Sequence, residues 1–152
     1  ERARRLDALN RRRRDIEAEM SRQAEAMLDA GLPGGEDLPA GLCLFDNRSP
    51  AEFCGEKKFA ARAGHIPGAI NWDWTEAMDQ GRHMRLKPLD QLQNSLAAMG
   101  VTPDKEVVCY CQTHHRSSLI YVLLKILGYP KIKGYPGAWS DWGNRNDTPV
   151  EA

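Results

Sequence analysis

The sequence predicts an α/β domain with a mainly parallel central sheet, preceded by a long N-terminal α-helix. Three observations support this fold class. Residues 1–30 contain no Pro or Gly and place apolar side chains at alternating three- and four-residue steps, as an amphipathic helix does. Gly and Pro then interrupt the pattern at residues 31–39. Beyond that linker, short apolar runs alternate with helical patterns, which is typical of parallel strands joined by helices.

The elements of the domain follow from local signals along the chain. Ser49 and Pro50 are suited to the N-cap and first turn of a short helix. Gly100 and Gly128 each follow an apolar helical pattern and are expected to end it. The predicted elements are, in order, a strand at residues 41–46, a short helix at 49–53, a brief strand within 65–71, a helix at 88–99, a strand at 106–110, a helix at 117–127, a strand at 131–134 and a helix at 137–142.

Length and composition limit the domain count and the class of partner. The 152 residues are 41% hydrophobic and 28% charged, which suits one domain with an accessory element. We therefore divide the chain into a helix and linker at residues 1–40 and a domain at residues 41–152. Lys plus Arg and Asp plus Glu both total 21, so no overall charge favours nucleic acid. Without a membrane span or secretory signal, we expect a cytoplasmic protein with reduced cysteines.

Cys111 is the strongest candidate for a reactive residue. It directly follows an apolar strand and precedes a polar loop and a helix that is predicted to start at Ser117. Ligands of open α/β sheets bind at the carboxyl ends of the strands, and the N-terminus of a helix stabilises negative charge. We expect a solvent-accessible sulfur that is ionised at neutral pH and acts as a nucleophile. The alternative is a buried core thiol, which is the expected state of Cys109.

The residues after Cys111 are suited to binding an anion. Backbone N–H groups of the loop can surround an oxyanion, and Arg116 offers a planar pair of donors. His114 and His115 can add positive charge or hydrogen bonds near neutral pH. Zinc ligands usually come from two separated segments, whereas Cys109, Cys111 and these histidines fall within seven residues. We expect no metal and no cofactor.

Four segments, in the right order, resemble the signatures of rhodanese-type sulfurtransferases. They are residues 46–53, 64–71, 111–117 and 134–139. The loop Cys-Gln-Thr-His-His-Arg and the chain end at residues 142–151 are most similar to the catalytic C-terminal domain of bacterial tandem-domain thiosulfate sulfurtransferases. Over residues 42–152, the resemblance implies a rhodanese-like three-layer fold.

The resemblance also implies a reaction and roles for individual residues. Cys111 would take a sulfane sulfur from thiosulfate as a persulfide and pass it to cyanide or a thiol. Asp46 and Arg48 would support the site from the neighbouring strand end. Glu52 stands where animal members have a substrate-binding arginine, so Arg116 would have to supply that charge. The implied substrate-binding residues are Gln112, Thr113, His114, His115, Arg116 and Ser117.

Two other functions stay open at this point. Phosphatases and arsenate reductases of the same fold have five residues between Cys and Arg, whereas this loop has four. A shorter loop makes a smaller pocket, which is better suited to one sulfur than to a phosphate. A binding or regulatory module without turnover is the other alternative.

Residues 1–45 resemble a different family. They look like the helix and first strand between the catalytic subdomains of RecJ-type single-strand exonucleases, which would make the chain a fusion. The metal-binding Asp/His motifs of that family do not occur in the sequence, so nuclease activity is not implied. Residues 1–30 hold eight Arg against seven acidic residues, which favours a salt-bridged helix face over a nucleic-acid contact. Self-association through the helix stays open.

Overall fold

The computed structural model describes residues 38–152 and, before them, residues 7, 11, 14, 15, 18 and 22, which are helical and exposed. The chain divides into two compact units, Glu1–Leu32 and Pro33–Ala152. The predictions for the rest of residues 1–37 lie outside the described residues. These are the continuous helix, the linker, the exonuclease-like segment and self-association through the helix.

The elements of the described domain alternate between strands and helices. The strands are β1 (Leu42–Asp46), β2 (Ile70–Asn71), β3 (Met78–Asp79), β4 (Arg85–Leu86), β5 (Glu106–Tyr110) and β6 (Ile132–Gly134). The α-helices are α1 (Pro50–Phe53), α2 (Leu89–Ala98), α3 (His115–Ile126) and α4 (Ala138–Trp142), with 3-10 turns at Trp74–Ala77 and Gln80–Arg82. No described helix has the length and apolar character needed to cross a bilayer.

The central sheet is parallel, as predicted, and its strand order is β2-β1-β5-β6. The middle strands β1 and β5 are paired so that Asp46 lies opposite Tyr110. The chain therefore leaves both strands at the same edge of the sheet, where the Asn47 N–H donates to the Tyr110 carbonyl at 2.8 Å. Residues that follow these two strands are thereby brought together.

Both faces of the middle strands are covered. On one face, Phe45 and Cys109 belong to an apolar core with Leu92 of α2 and Ile120 of α3. Side chains in strands alternate between faces, so residues such as Leu44 point the other way, and these are also buried. Burial on both faces explains why the two strands are apolar throughout rather than alternating.

Two differences from the predicted elements are the largest. Helix α3 begins at His115, two residues before the predicted start, because His114 takes a left-handed conformation with φ of 64° and turns the chain. This shift places Arg116 in the first helical turn. Residues 78–86 form a small antiparallel pair, β3 and β4, which the sequence did not predict because each strand is only two residues long.

Candidate active site

Cys111 directly follows β5 at the carboxyl edge of the sheet, as the sequence predicts. The residue is only 1% exposed, however, which corrects the expectation of an accessible sulfur. The first turn of α4 is hydrogen-bonded to the start of the loop. The backbone N–H of Trp139 donates to the Cys111 carbonyl, and the backbone N–H of Ser140 donates to the Gln112 carbonyl, both at 2.9 Å. The helix therefore holds the start of the loop from outside.

The loop after Cys111 presents a run of unused backbone donors. Within the described part of the chain, no acceptor is bonded to the N–H groups of residues 112–117. The first turn of a helix cannot satisfy its own N–H groups, so α3 contributes some of these donors. The first N–H that is bonded belongs to Ser118, which donates to the His114 carbonyl at 3.0 Å. Such a run of donors can stabilise an anion or a thiolate at the helix N-terminus.

His114 fixes the turn between the loop and α3. Its Nδ1 lies 2.6 Å from the Ser117 hydroxyl, and its ring lies over β6 at Gly134. A Cβ at Gly134 would overlap the His114 ring, so the contact needs glycine there. Burial lowers the pKa of His114, and the neighbouring His115 lowers it further. His114 is therefore neutral at pH 7 and serves the loop as a packing and hydrogen-bonding group.

The remaining polar side chains lie around the rim of the loop. Gln112 donates its side-chain amide to the Phe59 carbonyl at 3.1 Å, and its Oε1 is buried without a described partner. Thr113 and His115 are exposed and face each other, with 2.9 Å between the hydroxyl and Nδ1. Residues 112–115 and Ser117 thus surround the start of α3, where the sequence places substrate binding.

Arg116 is paired with a carboxylate rather than open to a substrate. Its NH1 lies 2.7 Å from one oxygen of Glu52, and its NH2 lies 2.8 Å from the other. The resemblance implies that Arg116 supplies positive charge to the substrate, and in the structure this guanidinium is already paired with Glu52. Burial would raise the pKa of Glu52, but hydrogen bonds from Arg116 and Ser49 outweigh it and lower that pKa to about 2. The pair therefore stays ionised at neutral pH.

Asp46 and Arg48 form a second ion pair, which is fully buried. The guanidinium of Arg48 is bonded to both Asp46 oxygens at distances between 2.6 and 3.0 Å and also donates to the Gly64 carbonyl. It lies 4.6 Å from the ring of Trp139 and 5.8 Å from that of Tyr110. The backbone N–H of the same Trp139 donates to the Cys111 carbonyl, and its indole N–H donates to the Arg62 carbonyl at 3.2 Å.

The other cysteines differ from Cys111 in their surroundings. Cys109 is buried in the core, as expected, and burial raises its pKa well above the ordinary value. Burial also raises the pKa of Cys43, whereas Cys54 is exposed. Among the residues that the structure describes, no group of three or more His, Cys, Asp or Glu side chains is arranged to hold a metal ion.

The family model for the rhodanese-like domain matches residues 22–145. The chain belongs to the rhodanese-like domain family. The match begins 20 residues before the segment at 42–152 that carries the sequence resemblance. The rhodanese-like match therefore overlaps residues 1–45, for which an exonuclease-like origin stays a prediction from the sequence.

Two curated relatives each match about three quarters of the chain. The thiosulfate sulfurtransferase of Azotobacter vinelandii is 54% identical over 112 residues, which cover 74% of this chain and 41% of the relative. The thiosulfate sulfurtransferase of Pseudomonas aeruginosa is 53% identical with the same coverage. The chain thus spans about two fifths of the length of these rhodanese-like relatives.

A solved structure shows the same rhodanese-like fold. It is the anaerobic ergothioneine biosynthesis enzyme from Chlorobium limicola in complex with its natural substrate, trimethyl histidine. The TM-score is 0.69 at 26% identity, over 74% of this chain and 28% of that one. The match supports the fold of the described domain.

Sequence reasoning missed the partner of Arg116. Glu52 stands out in the sequence only as a departure from animal rhodaneses. A local signal was available, because Ser49 and Glu52 have the Ser-x-x-Glu spacing of a capping box. The structure shows that box, with the Ser49 N–H and hydroxyl bonded to a Glu52 oxygen at 3.1 and 2.8 Å. The contact with Arg116, 64 residues away, has no local signature.

Proposed function

We propose that this chain is a thiosulfate sulfurtransferase that transfers a sulfane sulfur through a Cys111 persulfide to cyanide or a thiol. The observation that carries the proposal is the position of Cys111. It lies between the end of β5 and the N-terminus of α3, beside a run of N–H groups with no described acceptor. Relatives that are named thiosulfate sulfurtransferases, and that are more than half identical over 112 residues, support it.

The proposed reaction has two displacement steps. The Cys111 thiolate attacks the outer sulfur of thiosulfate, the sulfur–sulfur bond breaks, and sulfite leaves with the electron pair. Cyanide or a thiolate then attacks the outer sulfur of the persulfide and releases the Cys111 thiolate. No net oxidant or reductant is needed, because each step exchanges one sulfur bond for another.

The proposed residue roles follow from the contacts around the loop. The N–H groups of Gln112, Thr113, His114, His115, Arg116 and Ser117 bind the sulfonate of thiosulfate and the persulfide. His114 and Ser117 keep the turn in place, and the Asp46–Arg48 pair supports Trp139 behind the loop. Cys111 is only 1% exposed, so a donor has little surface through which to reach the sulfur. Thiosulfate suits such a site because its reactive sulfur is terminal.

Intact-protein mass spectrometry after incubation with thiosulfate tests the proposal. We expect the wild-type chain to gain the mass of one sulfur atom and to lose it again on addition of cyanide. Cys111→Ser should gain none, whereas Cys54→Ser, which removes the exposed thiol, should load like the wild type. Equal sulfur gain by Cys111→Ser would contradict the proposal.

The burial of Cys111 favours a second candidate, a rhodanese-like binding module without turnover. Such a module would bind an anion at the loop but would neither load sulfur nor release sulfite. The mass measurement separates the two functions, because cooperative unfolding without any sulfur gain would support the module. Phosphatase activity remains the less favoured alternative for the short loop, and it would be revealed by hydrolysis of a phosphate ester.

A further inference from the structure

The charge balance of the loop differs from what its sequence indicates. Arg116 and His114 give the loop a cationic sequence, yet His114 is neutral at pH 7 and Arg116 is bonded to Glu52 through both terminal nitrogens. Arg48, the buried guanidinium that also interacts with Glu52, is matched by Asp46. Both guanidinium groups beside the loop are therefore neutralised by carboxylates.

The carboxylate of Glu52 is held firmly in this position. Its side chain is 6% exposed, whereas that of Arg116 is 27% exposed. The Ser49 N–H and hydroxyl donate to one Glu52 oxygen, and the same oxygen accepts from Arg116 NH1. With both of its oxygens bonded, Glu52 cannot turn away without losing hydrogen bonds to charged and polar donors.

Arg116 interacts with both Glu52 and the proposed nucleophile. The hydrogen bond to Glu52 raises the pKa of Arg116 most, and the adjacent Cys111 side chain raises it by a smaller amount. An anion bound at the loop would therefore lie near a guanidinium whose charge is already balanced. Its attraction to the site would come mainly from the backbone N–H groups.

We propose that Glu52 sets the anion affinity of the site by occupying both terminal nitrogens of Arg116, so that this guanidinium adds little to the binding of the sulfur donor or of sulfite. This inference rests on the proposed function, since it names the residue that sets the affinity for thiosulfate and for the product sulfite. Weak binding of sulfite favours its release after each transfer. Glu52 acts through Arg116 and is a positioning residue, because it does not touch the reacting atoms.

The substitution Glu52→Gln removes the negative charge of this residue while nearly keeping its shape, so the effect of the charge can be measured separately. Glutamine is also found at this position of capping boxes, so the contact with Ser49 can persist while the negative charge is lost. Ser49→Ala is the matched control, because it weakens the cap of α1 but leaves the charge of Glu52 beside Arg116. Any effect of a loosened α1 should appear in both variants, whereas an effect of charge should appear only in Glu52→Gln.

Sulfite is the probe of choice, since it carries no sulfur to transfer and its binding does not require turnover. By calorimetry, we expect Glu52→Gln to bind sulfite about tenfold more tightly than the wild type, because one charged donor becomes free to bond the anion. Added salt should weaken binding more steeply in this variant. Ser49→Ala should bind like the wild type. For thiosulfate, Glu52→Gln should lower KM without a matching rise in kcat.

The possible outcomes separate this inference from the proposed function. If the wild type gains no sulfur but Glu52→Gln binds sulfite more tightly, the function fails and the role of Glu52 stands. Equal or weaker sulfite binding by a folded Glu52→Gln would overturn that role, whether or not the wild type loads sulfur. If Glu52→Gln does not fold, the salt dependence of sulfite binding is measured in the wild type alone. A shallow dependence supports the proposed role of Glu52, and a steep dependence overturns it.

Discussion

At the scale of single residues, the site depends on how buried charges are matched. Asp46 and Arg48 are 0% and 1% exposed, and neither can be hydrated if the other is removed. Loss of one partner from a buried pair costs more than the pair itself contributes, because a desolvated charge is left behind. We propose that this pair supports the loop indirectly, because the Arg48 guanidinium lies 4.6 Å from the ring of Trp139.

We therefore expect Asp46→Ala to lower the free energy of unfolding by about 3 kcal/mol or more, measured by urea denaturation. Sulfur loading of Cys111 should fall as well, since Trp139 loses its support. Asp147→Ala is the matched control, because its carboxylate pairs with Arg145 at the surface. That variant should unfold and load sulfur much as the wild type does, and similar losses in both would contradict the argument.

At the scale of elements, the loop is shaped by three neighbours: β5, the first turn of α4 and the start of β6. The turn at His114 depends on β6, because the His114 ring occupies the space that a side chain at residue 134 would need. Gly134 does not have a positive φ, so its backbone would accept alanine. The contact with His114 is therefore what requires glycine at this position.

Gly134→Ala is expected to displace the His114 ring and the loop with it. We predict a loss of about 1–3 kcal/mol in unfolding free energy, as for other overpacked sites, and at least about tenfold slower persulfide formation. Gly81→Ala serves as the control, since its Cβ would meet nothing closer than an Asp79 oxygen at 3.4 Å. Normal loading rates in Gly134→Ala, followed by mass spectrometry, would show that the loop does not depend on this contact.

At the scale of the whole described domain, segments that are far apart along the chain are held together by hydrogen bonds and ion pairs. The C-terminal segment returns to the domain, where His65 pairs with Glu151 and the Trp142 indole donates to the Pro149 carbonyl at 2.7 Å. Glu52 and Arg116 add another link between α1 and α3. Because the Glu52–Arg116 pair joins segments far apart in sequence, its ionisation should affect the stability of the domain as a whole.

The pH dependence of unfolding tests this link. Glu52 has an ordinary pKa of 4.5 and a folded pKa of about 2, so its contribution is complete above the ordinary value and is lost as the pH falls through about 2. Glu52→Gln lacks this contribution at every pH. The wild type should therefore be more stable than Glu52→Gln by on the order of 2 kcal/mol near neutral pH, and the difference should shrink towards about pH 2. A difference that stays constant between about pH 6 and about pH 3 would contradict this assignment.

The sequence by itself determined the order of the elements and the place of the loop. Apolar runs, helix caps and the glycines at 100 and 128 predict most strands and helices to within two residues, because these signals act between near neighbours. The position of Cys111 after β5 follows from the same local pattern. The helix at residues 1–30 remains a sequence prediction.

Only the tertiary structure decided the chemistry around the loop. The burial of Cys111, the neutral state of His114 and the pairing of Arg116 with Glu52 all arise from segments that are distant along the chain. A sequence shows which side chains carry charge, but whether a charge is free depends on its neighbours in space. The sequence therefore predicted a cationic loop with an accessible sulfur, whereas the folded domain has a covered sulfur and balanced charges.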